Sequence, residues 1–165
     1  MIKSRIYDTL VEFLKAKQPT KGSDIFLQNG VNIQGVIEKF DNYGIQVLSD
    51  NQSSVVSSGI INTITVHGEE LIDEALAKFE GFENGDLHNS EIHSHVCVPA
   101  TTLGCEVAMF FFNRIHISGE LLHFDGDVML ILGTVYRNDV KVRQLQMVNI
   151  DNLVTCSVKA PAFKF

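Results

Sequence analysis

The 165-residue sequence predicts a mainly β fold of the α+β class, built from one unit used twice. The first observation is an internal repeat. Residues 25–48, IFLQNGVNIQGVIEKFDNYGIQVL, return without a gap at 109–132 as MFFFNRIHISGELLHFDGDVMLIL. This pairs Phe26 with Phe110, Asn29 with Asn113, Ile33 with Ile117 and Gly35 with Gly119. It also pairs Phe40 with Phe124, Asp41 with Asp125 and Leu48 with Leu132. Self-similarity at a fixed spacing marks a repeated structural unit. The second observation is alternation: Val31, Ile33 and Gly35 interleave with Asn32 and Gln34, the period of a strand with one wet face. The third is turn chemistry between the apolar runs, at Asn29-Gly30 and at Asn42-Tyr43-Gly44.

Ser4 to about Lys17 reads as an amphipathic helix, with Ile6, Leu10, Phe13 and Leu14 on one face and Pro19 as its stop. Phe26 to Gln28 is a strand entering the Asn29-Gly30 turn. The strand that follows contains Gly35, where a missing Cβ marks a sharp bend or a close backbone approach. After Phe40-Asp41, Ile45 to Leu48 alternates again, Ser49 to Ser54 is a polar turn, and Val55-Val56 and Ile60 to Val66 supply the last two strands.

The first copy resembles the first motif of the bacterial RNA chaperone Hfq and the wider Sm-like family. The resemblance rests on a hydrophobic–aromatic–Leu run, Asn29-Gly30, Gln34-Gly35, Ile37-Glu38 and Phe40-Asp41. In the second copy it reduces to Asn113, Gly119, Phe124-Asp125 and the apolar pattern. It implies an N-terminal helix followed by a strongly bent five-stranded sheet, with units joined edge to edge into a ring. Two units per chain then imply two such sheets, each preceded by a helix, and a pseudo-hexameric ring of three chains. It also implies candidate RNA contacts. Phe26, Gly30, Val31, Asn32, Ile33 and Gln34 occupy the positions that bind adenine-rich single-stranded RNA, through stacking on an aromatic ring and hydrogen bonds from Gln and backbone. Asn42-Tyr43 match a polar–aromatic pair that stacks a base on the opposite face, and Lys15 and Lys17 stand where the family has an arginine-rich rim. In the second copy the counterparts are Phe110, Arg114 and His116. The family's pore triplet, Tyr-Lys-His, corresponds here to about Ser57-Ser58-Gly59 and, in the second copy, Gln146-Met147-Val148. Neither stretch has an aromatic, a cation or a histidine. A packed aromatic on a strand and cations favoured at a helix C-terminus are the structural alternatives for Phe26, Phe110, Lys15 and Lys17.

Glu69 to Phe82 reads as a second amphipathic helix, ended by Gly81, in the place of the second copy's N-terminal helix. Residues 83–104 are a long connector, with an extra strand expected at Glu91–Val98. On such a strand His93, His95 and Cys97 project to one side near His88, a weak zinc-ligand set. Val135 to Gln146 is a charged hairpin with Arg137, Lys141 and Arg143, either a basic patch or a solvated turn, and Met147 to Val158 closes the fold. The organisation expected is a first repeat at 1–66, an acidic helix and connector at 67–104, and a second, diverged repeat at 105–165.

Net charge is −7, and its distribution is uneven. Residues 1–66 and 105–165 each balance six Lys/Arg against six Asp/Glu, whereas 67–104 set eight acids against Lys78. A hydrophobic content of 45% supports a core, and no apolar run approaches the ~20 residues of a membrane span. Met1-Ile2-Lys3-Ser4 does not open a signal-peptide pattern. Cys97, Cys105 and Cys156 are too few and odd in number for a disulfide framework, which fits a reducing cytoplasm. Phosphate-loop, nucleophile-elbow and paired-carboxylate patterns are missing, so no enzyme activity and no cofactor are expected. The expected function is RNA binding by positioning, with bases stacked in repeated pockets. The alternatives are an Sm-like scaffold that has lost RNA and serves protein assembly, or a metal- or ligand-binding module around His93, His95 and Cys97.

Overall fold

The computed structural model describes residues 1–17, 23–88, 91–112 and 115–159. Helix α1 is Arg5–Ala16, begun by Ser4, whose hydroxyl accepts the Ile6 N–H at 3.1 Å and satisfies one of the orphan donors of the first turn. Its buried stripe is Ile6, Tyr7, Leu10, Val11, Phe13 and Leu14. Six strands follow: β1 Ser23–Leu27, β2 Asn32–Ile33, β3 Val36–Asp41, β4 Gly44–Ser49, β5 Gln52–Ser57 and β6 Ile61–His67. Helix α2 is Glu69–Ala77 and helix α3 is Glu91–Leu103. The chain then gives β7 Glu106–Phe111, β8 His116–Asp125, β9 Val128–Arg137, β10 Val140–Asn149 and β11 Leu153–Val158. A 3-10 turn precedes β6, at Ser58–Ile60, and another precedes β11, at Ile150–Asn152. The fold is mainly β with a few helices.

Eight strands form one antiparallel sheet in the order β11-β7-β8-β9-β10-β6-β1-β2, and β3-β4-β5 form a second. The turn at Asn29-Gly30 forms as the sequence requires: Gly30 takes φ +83° and Leu27 N–H reaches Val31 O at 2.9 Å. Gly35 divides β2 from β3, and a Cβ there would lie 2.5 Å from Leu48 O. Gly119 occupies the matching place in the unbroken β8, where a Cβ would lie 2.6 Å from Leu132 O. Its strand pairs with β7 up to Glu120 and with β9 from there on. Both glycines therefore let a bent strand touch the neighbouring backbone. The hairpins β4–β5 and β9–β10 share a turn in which both central residues are left-handed, Asp50-Asn51 and Asn138-Asp139. The second hairpin is longer, with strands of ten residues against six.

The two halves meet at β6 and β10, paired from Gln144↔His67 to Val148↔Thr63. One core cluster lies under α1 and crosses that seam, taking Val128, Leu130, Leu145 and Met147 from the second half. The other belongs to β7–β10 and α3.

Two sequence expectations are corrected. Residues 91–98 are helical. Cys97 and Ala100 are the buried positions, three residues apart on one helical face, and the helix continues through Pro99 to Leu103. Helix α2 ends at Ala77, and α3 is the helix directly ahead of β7, the place expected for α2.

Candidate nucleic-acid interface

Strand alternation sorts the seam into two faces. Ile25, Leu27, Ile64, Val66, Leu145 and Met147 point into the core beneath α1. Their neighbours Asp24, Phe26, Thr63, Thr65, His67, Gln144 and Gln146 therefore lie on the opposite face of the sheet. There they line a groove of about 390 Å³, joined by Asn32 and Asn62 from the first half and His116 and Arg137 from the second. That size is at the lower end of ligand sites, which run from ~300 Å³.

A chain of hydrogen bonds crosses the groove floor. Gln146 Nε2 donates to Gln144 Oε1 at 3.2 Å, Gln144 Nε2 lies 3.3 Å from His67 Nδ1, and His67 Nε2 lies 2.6 Å from Asp24 Oδ2. Gln34 donates to the other Asp24 oxygen. With the Gln144 amide donating to Nδ1, the network assigns the His67 proton to Nε2, aimed at Asp24. Both ring nitrogens are engaged, so His67 bridges the strands. Among the described residues, Asn62 Oδ1 and Gln146 Oε1 are buried acceptors with no hydrogen-bond partner. Both residues line the groove. Buried polar atoms are nearly always paired, so these two carbonyl oxygens suit a ligand carrying N–H donors.

The site residues expected from sequence divide by face. Phe26 and Asn32 line the groove, and Phe26 is in neither core cluster. Gly30 shapes the adjoining turn, Val31 stands exposed beside it, Ile33 packs on the core, and Gln34 is held by Asp24. Phe110 is exposed, and its ring centroid lies 4.5 Å from that of His116. Arg114 lies outside the described residues. Asn42 and Tyr43 are elsewhere: Asn42 O accepts from Ile2 N and Ser58 Oγ, and Tyr43, 70% exposed, lines a separate groove with Phe40 and Val55. Lys17 pairs with Glu74 of α2, while Lys15 is half-buried in the last turn of α1. The basic hairpin is divided as well. Arg143 is held by Glu69 and Asp73, its Nε 2.6 Å from Glu69 Oε2, while Arg137 faces the groove. That bonding lowers the Glu69 carboxyl from its ordinary range.

A second pocket lies at the start of α1 and carries three carboxylates. It holds Asp8, Asp86 and Asp125 beside Lys3, Arg5 and His88. Burial, and then neighbouring Asp125, raises the Asp8 carboxyl, while burial and then Asp127 raise that of Asp151. Ile2 is fully buried here, and Lys3 N donates to Asp127 Oδ2 at 2.7 Å. The positions matching the pore triplet run from the last residue of a strand into the 3-10 turn that follows it. In the second half they are Asn149-Ile150-Asp151, because the longer hairpin displaces the match, and not Gln146-Met147-Val148, which lie within β10. Asn149 of this triplet and the adjacent Asn152 serve the seam: Asn149 Nδ2 donates to Ile61 O at 3.0 Å and Asn152 Nδ2 to Ile61 O at 2.9 Å. His93, His95 and Cys97 sit on α3, where successive steps of two residues do not share a face, and no metal-holding group is found among the described residues.

Asp24, Asn62, Thr63, Thr65, His67 and Gln144 were missed from sequence. Their signal was the polar set alternating with Ile64, Val66, Leu145 and Met147, which shows its meaning only once β6 and β10 are known to be neighbours.

The sequence matches the family description "Hfq protein" over residues 10–71, from α1 into α2. RNA-binding protein Hfq of Caulobacter sp. (strain K31) is 40% identical over 63 residues, covering 38% of this chain and 73% of that relative. The chain belongs to the Hfq family. RNA-binding protein Hfq of Cereibacter sphaeroides (strain ATCC 17029 / ATH 2.4.9) is 48% identical over 50 residues, 30% of this chain and 61% of its own. A crystal structure of the pleiotropic translational regulator Hfq aligns with 36% of this chain and 97% of its own, at 30% identity and a TM-score of 0.34. Phe26, Asn32, Asn62, Thr63, Thr65 and His67 all fall inside the Hfq match. Among the described residues, no helix is long and apolar enough to cross a membrane.

Proposed function

We propose that this Hfq-family chain binds single-stranded RNA in the seam groove, on the sheet face away from α1. One observation carries the reading: an aromatic and amide-lined groove with two unpartnered buried acceptors, one wall of which comes from the Hfq-matching residues and the other from the second half. Base stacking on Phe26, and on Phe110 with His116, needs little net charge, which suits a chain of −7. The exocyclic amine of adenine supplies the donor that Asn62 and Gln146 lack, in keeping with adenine-rich RNA. The mechanism is positioning in a cytoplasmic regulator, with no covalent step.

The chain is read as a tandem of two Sm-like units, at 1–66 and 105–165, joined by 67–104. Three observations support this. The order helix, strand, bent strand, hairpin, 3-10 turn, strand occurs as α1 to β6 and, with α3 supplied by the end of the joining segment, as α3 to β11. The pairing orders β6-β1-β2 with β3-β4-β5, and β11-β7-β8-β9-β10, correspond strand for strand. Gly35 and Gly119 take equivalent places. Among the described strands β5 pairs with β4 alone and β11 with β7 alone, which leaves one edge of each kind for closing three chains into a pseudo-hexameric ring. The second reading, a scaffold without RNA, is favoured by the acids of the pocket at the start of α1 and by the α2 carboxylates holding Lys17 and Arg143.

The test is binding of fluorescent oligo-A and oligo-U at low and moderate salt, with solution mass measured alongside. Stacking is worth roughly 1–3 kcal/mol per base, so Phe26→Ala should weaken oligo-A about 5- to 150-fold. Saturable oligo-A binding with that loss supports the groove. No binding of either probe by an assembled protein leaves the scaffold as the better account.

A further inference from the structure

The hydrogen bonds on the groove floor have a direction. A side-chain amide presents either its oxygen or its NH2 group, and a neutral imidazole donates from one nitrogen and accepts at the other. A carboxylate only accepts. Asp24, 7% exposed on β1, is therefore the fixed end of the chain that runs through His67 and Gln144 to Gln146. One of its oxygens accepts from Gln34, and the other lies 2.6 Å from His67 Nε2, which must carry the ring proton. His67 Nδ1 is then an acceptor, and the Gln144 NH2 group turns toward it at 3.3 Å. That leaves Gln144 Oε1 to accept from Gln146 Nε2 at 3.2 Å. With its NH2 group committed, Gln146 presents Oε1, which is buried and without a partner. Each step has one solution once Asp24 is in place.

We propose that Asp24 is a positioning residue for base recognition: through His67 and Gln144 it turns the Gln146 carbonyl toward the ligand, so that the groove selects bases carrying N–H donors. The inference rests on the RNA reading above and adds what sets the choice of base. Asp24 acts three hydrogen bonds away from the atom it orients and need not touch the base. Asp24 and His67 belong to the first half and Gln144 and Gln146 to the second, so the relay depends on the pairing Gln144↔His67 and Gln146↔Thr65. Asp24→Asn reverses it. With Gln34 still donating to the new amide oxygen, the new NH2 group faces His67 Nε2, and the ring proton moves to Nδ1. Gln144 then turns its oxygen to that N–H and its NH2 group to Gln146. The Gln146 oxygen turns inward to accept, and its NH2 group faces the groove. A donor then stands where an acceptor stood, and the amine of an adenine loses its partner.

The experiment compares the binding of fluorescent oligo-A and oligo(purine riboside) to the full-length protein. The second probe keeps the purine ring for stacking and lacks only the exocyclic amine. Wild type should favour oligo-A about tenfold or more, because purine riboside leaves a buried acceptor unpaired. In Asp24→Asn the ratio should fall to about threefold or below, with Asn62 Oδ1 left as the one matching acceptor. Gln144→Leu cuts the relay in the middle and frees Gln146 to turn either way, so the ratio should fall there too. Adding Asp24→Asn to Gln144→Leu should then change the ratio no further, a coupling that a purely structural role for Asp24 would not produce. A wild type that binds both probes equally overturns the relay and leaves the groove standing. So does a full ratio in either single variant, folded by circular dichroism, or an Asp24→Asn effect that persists on top of Gln144→Leu. A wild type that binds neither probe overturns the groove and the relay together.

Discussion

Gly119→Ala tests the account of the bent strands most directly. A Cβ at this position would lie 2.6 Å from Leu132 O, 2.8 Å from Leu132 C and 2.8 Å from Gly133 Cα. All three are backbone atoms of β9, so no side-chain rotation relieves the contact. The strands must move apart, at the point where β8 passes from pairing with β7 to pairing with β9. Overpacking a well-packed site costs typically 1–3 kcal/mol, and immovable backbone places this one at the upper end. A stabilising contribution of ~0.4–1 kcal/mol from the stiffer unfolded chain offsets part of it. The net cost is about 2 kcal/mol, which lowers Tm by roughly 4–8 °C for a chain of this size. Gly30→Ala is the internal comparison. Nothing lies within 4 Å of its added Cβ, so only the left-handed φ of +83° costs, ~1–2 kcal/mol before the same offset. Thermal denaturation followed by far-UV circular dichroism reads both variants. A Gly119→Ala protein melting within 2 °C of wild type, or above Gly30→Ala, would refute the close-approach argument.

Three further outcomes are expected. Burial raises the Asp125 carboxyl, but hydrogen bonds from the Arg5 side chain and backbone outweigh this and hold it below its ordinary 3.8. Its stabilising contribution is therefore complete above that value and is lost as pH falls through the lower folded value. The Tm difference between wild type and Asp125→Asn should be present at pH 7 and close below about pH 3.8. Met147, fully buried in the core that crosses the seam, should cost about 2–5 kcal/mol on change to Ala, measured by urea unfolding. Burial pushes the Cys97 thiol up to about 12, with Cys156 adding to it, and burial pushes Cys156 up to about 11. Iodoacetamide at pH 7.5 should label both slowly in the native protein and quickly in urea, as mass spectrometry will show.

What the sequence disclosed was local. Asn29-Gly30 forms the turn its chemistry demands, and Gly35 and Gly119 mark close approaches because only a residue without Cβ fits there. The helix from Ser4 follows its apolar spacing and its cap. Segment 91–98 misled because three alternating side chains are too short a sample to separate period 2 from a helix, and Pro99, inside the helix, argued against a helix there. The larger part of the groove was hidden for a different reason. Thr63, Thr65 and His67 meet Gln144 and Gln146 only through the β6–β10 pairing, a contact between distant segments that no local pattern encodes. The role of α2 was equally non-local: its acidity was legible, but not that Glu74 would hold Lys17 or that Glu69 and Asp73 would hold Arg143.

The β6–β10 pairing also governs what happens on dilution. Its two strands belong to one polypeptide, so the seam closes within the chain, at an effective concentration set by the connecting residues and not by the protein concentration. Lowering the protein concentration separates any contact between molecules and leaves this one intact. The groove it creates takes Phe26 and Thr63 from one half and Gln146 and His116 from the other, and therefore exists in full in a solitary chain. On the proposed reading, RNA bound there has a stoichiometry of one groove per chain at any dilution. Self-association then changes how many grooves a single long ligand spans, and with it avidity, not whether the groove exists.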